Sequence, residues 1–315
     1  MDDRDYLLGV SDETRQGALR FKIEGNDEFQ HPAPEVPKLI ALPSLMHAAS
    51  AVARDEVNNM EAIKILLDAG TGSLGGARPK ASVKDGDRLL IAKFPHHADE
   101  WSVIAWEKSA LDLAEAAGIV VPRRQLVGVD GNPMLLLDRF DREAGWRIGY
   151  LSAMTMLEAR DGEPRDYTEI AEVLPEHSSM TATDLRQPWR RIAFSVAIHN
   201  TDDDLRNHGF LRHVAGWRLA PAFDVNPNPD LAAQRVTSVG GASNPSDEVK
   251  ALLVYSETFD MTHAQARSVL REVSDAAGNW AAVARRNGVA DAEIARFDRT
   301  LTETIETVKA AAARP

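Results

Sequence analysis

Ile198-His199-Asn200-Thr201-Asp202-Asp203-Asp204-Leu205-Arg206-Asn207-His208-Gly209 carries the spacing of a phosphoryl-transfer catalytic loop. An aspartate is followed five positions later by an asparagine, then by His-Gly and the apolar pair Phe210-Leu211. In such loops one carboxylate faces the attacking hydroxyl while an amide oxygen reaches a metal ion. Asp202 and Asn207 fit those two posts. The competing reading is a solvated acidic turn made by Asp202, Asp203 and Asp204, and only other pieces in the right order can displace it.

A second acid follows at a suitable distance. Trp217 to Val225 reads as a short strand ending in Asp224, where a kinase keeps the carboxylate that bridges Mg2+ to the phosphates. A few oxygen ligands in a loop and the strand after it suit a hard cation that takes further ligands from a nucleotide.

Composition bounds the alternatives. At 315 residues and 44% hydrophobic, the chain can bury one large core or two medium ones. A net charge of −12 argues against direct, non-specific nucleic-acid binding. The absence of cysteine excludes disulfides and thiolate metal sites. No apolar run approaches membrane-spanning length and the start does not read as a signal peptide, so the expectation is a cytoplasmic protein without membrane contact.

Upstream, Tyr6–Val10 and Gly17–Phe21 read as short strands, and residues 44–52 and 59–69 as helices, the first with Ser44 as N-cap. Gly70 to Lys80 is glycine-rich (Gly72-Ser73-Leu74-Gly75-Gly76) and is either a phosphate-cradling loop or an ordinary turn. Residues 81–83 and 89–94 predict two strands. Lys93 in the second is either a phosphate-contacting lysine or an edge-strand guard against aggregation. Trp106-Glu107 opens a periodic helix that stops at Gly118; Glu107 either partners such a lysine or favours its own helix terminus. Strands near Arg124–Val129 and Met134–Phe140 end in Leu135-Leu136-Leu137-Asp138-Arg139-Phe140-Asp141-Arg142, a candidate hinge in which Phe140 reads equally as core packing. Beyond Gly145 the pattern turns helical: residues 166–174, 183–197, 262–287 (with a Thr262/Gln265 capping box) and 290–313, with a loop over 236–248.

Taken together, Gly-Gly-Ala-Arg-Pro-Lys, the strand lysine, Leu-Asp-Arg-Phe-Asp-Arg, Asn-Thr-Asp-x-x-x-x-Asn-His-Gly-Phe and Leu-Ala-Pro-x-Phe-Asp-Val resemble the HipA family of bacterial serine/threonine kinases, toxins of type II toxin-antitoxin pairs. The resemblance implies a bilobal, protein-kinase-like α/β fold, with an N-lobe over residues 1–142 and a helical C-lobe over 143–315. It implies ATP and Mg2+ as cofactors, Asp202 as the catalytic aspartate, and Asn207 with Asp224 as the metal-binding pair. Lys93 would contact phosphate, Asp138 and Phe140 the adenine, and Ser73, Leu74, Gly75 and Gly76 would form the nucleotide loop, with Ser73 phosphorylated by the protein itself. The expected partners are a protein substrate, in some members an aminoacyl-tRNA synthetase, and a HipB-like helix-turn-helix antitoxin, through which alone the chain would meet DNA.

Two departures stand out. Members commonly carry a histidine two positions after the catalytic aspartate, near the nucleotide, where this chain has Asp204. The chain also begins partway through the N-terminal subdomain of longer members. A degenerate kinase acting as a non-catalytic binding module, and a small-molecule or lipid kinase, are the alternative functions.

Overall fold

The computed structural model describes residues 8–30, 35–54, 60–69 and 78–313. Its contacts divide the chain into two compact units, Met1–Ile104 with Pro122–Tyr150 and Ala105–Val121 with Leu151–Pro315.

The first unit is built on a four-stranded antiparallel sheet formed by β1 (Lys80–Asp85), β2 (Arg88–Lys93), β3 (Arg124–Val129) and β4 (Asn132–Asp138), in the order β1-β2-β4-β3. The β3–β4 connection is the two-residue turn Asp130-Gly131, both at positive φ (48° and 78°), whose twist matches that of paired strands. Helices α1 (Leu42–Ala53) and α2 (Met60–Asp68) bury Leu45, Met46, Ala49 and Leu66 against Ala81, Val83, Leu90, Ala92, Met134 and Leu136. The period of two along each strand leaves Lys80, Lys93, Leu135 and Leu137 on the other face. Ser44 does not cap α1, which starts two residues earlier with Pro43 in its first turn.

No strand forms among residues 8–30, contrary to the expectation for 17–21. Side chains satisfy that backbone instead of a ladder. Arg139 Nη1 donates to the Thr14 carbonyl (2.8 Å) and Arg142 Nη2 to that of Arg15 (2.6 Å), while Gly17 N–H donates to Asp141 Oδ2 (2.8 Å). Asp141 is buried between Arg139 (2.6 Å) and Arg142 (2.8 Å). Burial alone would raise its carboxyl, but the Arg139 hydrogen bonds and the two guanidinium charges hold it below its ordinary value.

In the second unit, α3 (Val103–Ala116) supplies Trp106, stacked 3.9 Å from the ring of Phe297 and 6.2 Å from that of Trp280. This packing groups residues 105–121 with the helical part. Helices α4 (Thr168–His177), α5 (Thr181–Ala197), α6 (Pro245–Val254), α7 (His263–Ala277), α8 (Trp280–Arg286) and α9 (Asp291–Ala313) complete it. Buried Trp189, Ile192, Ala193, Val196 and Ala197 make α5 the central helix, packed by α4, α6, α7 and α9. The capping box of Thr262 and Gln265 starts α7. The span 262–287 forms two helices, α7 and α8, and the loop expected over 236–248 contains the start of α6, capped by Asn244. No helix among the described residues is long and apolar enough to cross a membrane.

Candidate active site

The loop carrying the three aspartates begins where α5 ends. Ile198 closes the helix, His199 follows with φ +52°, and Asn200 N–H donates back to Ser195 O (2.8 Å) while His199 N–H donates to Val196 O (3.1 Å). This is a Schellman ending with histidine where glycine is usual. His199 is held there by its Nε2, 2.9 Å from the Asp230 carbonyl, and burial lowers the pKa of its ring. The loop closes on the hairpin β5 (Gly209–His213) and β6 (Gly216–Leu219). Gly216 is required there, because a Cβ would stand 2.6 Å from the His177 carbonyl.

Between these anchors the aspartates part company. Asp202 is exposed, Asp203 is buried and Asp204 is intermediate. Asp203 Oδ2 accepts from Ser195 Oγ (3.0 Å), its backbone oxygen accepts from the Tyr167 hydroxyl (3.1 Å), and Oδ1 lies 3.2 Å from His208 Nε2, at ion-pair distance but off the alignment of a hydrogen bond. Burial alone would raise the Asp203 carboxyl, yet the His208 ring, Tyr167 and the Arg235 charge outweigh it and hold the group below its ordinary value. Asp204 serves the turn: Oδ1 accepts from Arg206 N–H (2.6 Å) and Oδ2 lies 3.5 Å from its guanidinium. The solvated-turn reading therefore fits Asp204 and fails for Asp203.

Asn207 comes back to Asp202 through a long contact from Nδ2 to the Asp202 carbonyl (3.4 Å), which leaves Oδ1 as the acceptor on the other side of the amide. Asp224 does not end a strand, since β6 stops at Leu219; it sits in irregular backbone at φ +57°, a strained conformation for a non-glycine residue. Beneath Asn207, Arg191, Asp203, His208 and Phe223 line a cavity of about 20 Å3, room for a single water. Arg191 reaches the Ala220 carbonyl (2.5 Å), and burial lowers its pKa to about 10 although Asp203 and Asp184 oppose the shift.

The segment after Asp224 runs back along the loop. Asn226 N–H donates to Asn200 Oδ1 (3.2 Å), Asn228 N–H to His199 O (3.0 Å), Asn228 Nδ2 to Thr201 Oγ1 (2.9 Å) and Val236 N–H to Thr201 O (3.0 Å). Sequence reasoning missed this layer (Ser195, Tyr167, Asp203, His208, Arg235), and only the Asn-His-Gly run hinted at any of it.

The amide and carboxylate oxygens of Asn207 and Asp224 are the donor types a hard cation takes. Among the described residues no three His, Cys, Asp or Glu side chains gather as a metal site. Two oxygen donors by themselves would leave most positions on such a cation to other ligands.

In the first unit Lys93 ends β2, buried, directly across from Lys80 on β1. Two cationic side chains thus share one face at the end of the sheet, and the sequence reading gave Lys80 no role. At the candidate hinge, the Asp138 carboxylate is engaged by Arg88 (Nε at 3.2 Å), and Phe140 packs 6.2 Å from the Tyr150 ring. Ser73, Leu74, Gly75 and Gly76 lie outside the described residues.

Residues 72–281, two thirds of the chain, match the profile of the HipA-like C-terminal domain. The chain belongs to that family. Solved structures agree on the fold. HipA of Shewanella oneidensis, seen with HipB and operator DNA, superposes with a TM-score of 0.56 over 76% of this chain and 64% of its own, at 14% identity. The proinflammatory kinase CtkA of Helicobacter pylori superposes with a TM-score of 0.59 over 76% and 93%, also at 14% identity. The chain thus spans less than two thirds of the Shewanella protein, and identities this low carry the fold alone. No curated protein sequence matches it. The HipA-like chain is accordingly a mixed α/β protein of kinase-like fold.

Proposed function

We propose that this HipA-like chain is an ATP- and Mg2+-dependent serine/threonine protein kinase. The observation that carries the reading is the division of labour in the 202–207 loop: Asp202 is exposed while its neighbour Asp203 is buried and tied down. Such an arrangement presents one carboxylate at the surface while its buried neighbour fixes the backbone that carries it.

In this reading Asp202 accepts the proton of the substrate hydroxyl as its oxygen attacks the γ-phosphorus, and the bond from that phosphorus to the bridging oxygen of ADP breaks. Asn207 and Asp224 would hold Mg2+, which would supply charge neutralisation at the phosphates. Lys93 would contact phosphate, and Asp138 with Phe140 the adenine. Ser73 in the glycine-rich loop is the site of self-phosphorylation, and a HipB-like antitoxin restrains the protein, as HipB accompanies the Shewanella structural relative. An aminoacyl-tRNA synthetase is a candidate substrate.

The test is thermal stabilisation by ATP with Mg2+, followed by phosphate transfer from labelled ATP to the chain itself and to a synthetase panel. Stabilisation without transfer to any protein favours the binding-module reading, and transfer to small-molecule or lipid acceptors the small-molecule one.

A further inference from the structure

Arg235 is the largest charged investment in the second unit that the proposed chemistry leaves unused. It is buried, its Nε donates to Glu248 Oε1 on α6 at 2.6 Å, and both side chains are 1% exposed. A buried ion pair of this kind is weak grounds for stability, because desolvating two charges offsets most of their attraction. The remaining donors tell more. Arg235 Nη1 donates to the Asn200 carbonyl (2.6 Å) and to Ser195 Oγ (2.9 Å), and Nη2 to the Ser195 carbonyl (3.3 Å).

These contacts bracket Asp202. Asn200 lies two residues before it. Ser195 Oγ has one proton, with Asp203 Oδ2 at 3.0 Å and Asn200 O at 3.1 Å as its candidate acceptors. The carboxylate is the stronger acceptor of the two and also the nearer, so that proton goes to Asp203, one residue after Asp202. The residue following Arg235 adds a third tie, Val236 N–H to Thr201 O (3.0 Å). One guanidinium therefore grips both flanks of Asp202 from the segment that also carries Asp224.

We infer that Arg235 is a positioning residue: through Asn200 and through the Ser195–Asp203 hydrogen bond it fixes the backbone that presents Asp202, with Glu248 serving to keep its charge in place. The inference rests on the kinase reading above and deepens it.

The test replaces the pair by apolar groups of similar size, Arg235→Met with Glu248→Leu. Such exchanges of buried ion pairs are commonly neutral or stabilising, so a merely structural pair would leave the protein stable and active. Three readouts separate the cases. The thermal midpoint should return to within a few degrees of the parent. Amide hydrogen exchange of residues 201–207 in nucleotide-free protein should quicken about tenfold or more, as local opening becomes easier. The turnover number should fall about 10- to 100-fold, the scale of a misplaced catalytic group, with ATP affinity within about threefold. Parent-like exchange and turnover in a folded double variant overturn the inference. Should that variant fail to fold, Ser195→Ala decides: it keeps the ion pair, and faster exchange at Asp203 with reduced turnover is expected, whereas unchanged exchange refutes the inference. A parent chain that transfers no phosphoryl group overturns the kinase reading and the catalytic half of this one together, while the exchange result still reports on the grip itself.

Discussion

Asp203→Asn separates architecture from chemistry within a run of three identical residues. The parent carboxylate is buried, accepts from Ser195 Oγ at 3.0 Å and pairs electrostatically with the buried guanidinium groups of Arg235 and Arg191. Removing one partner of a buried charge pair costs about 3–5 kcal/mol. Asparagine keeps the shape and one acceptor, and the Tyr167 bond goes to the backbone oxygen and survives, so the lower end, about 3 kcal/mol, is expected. For a unit of this size that is a fall of about 6–12 °C in the midpoint of its unfolding transition. The pH dependence has a fixed sign. The Asp203 pKa is lowered in the folded protein from an ordinary value of 3.8, so the stability it contributes is fully present above that value and is lost as pH falls through the lower folded one. Other acids share the acid limb, Asp12, Asp141 and Asp166 among them. The parent-minus-variant difference in calorimetric stability between neutral pH and pH 3 isolates Asp203: it should be largest at neutral pH and shrink on acidification. A variant as stable as the parent at pH 7, or a gap that widens in acid, would refute the assignment of Asp203 as the buried anchor of the loop.

Asp202→Asn, at an exposed position, should leave the midpoint nearly unchanged and cut phosphoryl transfer by about two orders of magnitude or more; undiminished transfer removes Asp202 from the chemistry. Asp224→Asn should weaken ATP binding in the presence of Mg2+ and leave Mg2+-free nucleotide binding little altered, which titration calorimetry with and without EDTA reads directly. Asp204→Asn keeps an acceptor for Arg206 N–H while removing a charge, so ATP–Mg2+ should bind severalfold tighter if that carboxylate borders the triphosphate; equal affinity across a Mg2+ series would confine Asp204 to its turn. Phosphate on Ser73 adds about −1.5 to −2 charges to the glycine-rich loop and should abolish ATP binding; phosphopeptide mapping that finds Thr71 modified instead, or full affinity with Ser73 phosphorylated, would exclude the switch.

The parts of the fold legible in the sequence were those fixed by local periodicity and turn chemistry. Asp130-Gly131 demands positive φ and forms a tight hairpin. Thr262 with Gln265 starts a helix, and the apolar run that carries Lys93 forms a strand. What stayed hidden depends on partners distant in sequence. Gly17 and its neighbours have strand-like composition, but their backbone is claimed by Arg139, Arg142 and Asp141, more than 120 positions away. Asp224 was misread as a strand end: the strand stops at Leu219, and Pro221, which has no N–H for a ladder, stands between the two.

The candidate site divides along the same line. Spacing singled out Asp202 and Asn207 because both must reach one small volume from one short loop, and a five-residue separation is a local property. Asp203 and His208, one residue after each, were invisible for a physical reason: an aspartate and a histidine become an anchor only when burial desolvates them and a partner compensates. Here those partners, Ser195, Tyr167 and Arg235, come from α5, from the residue before α4 and from the segment beyond Asp224. Of adjacent acids one is thus exposed and the next buried, the first the candidate for proton handling and the second an anchor of the loop. A loop built this way needs no neutral spacer between them, and three consecutive aspartates can be tolerated because only one has its charge removed from water.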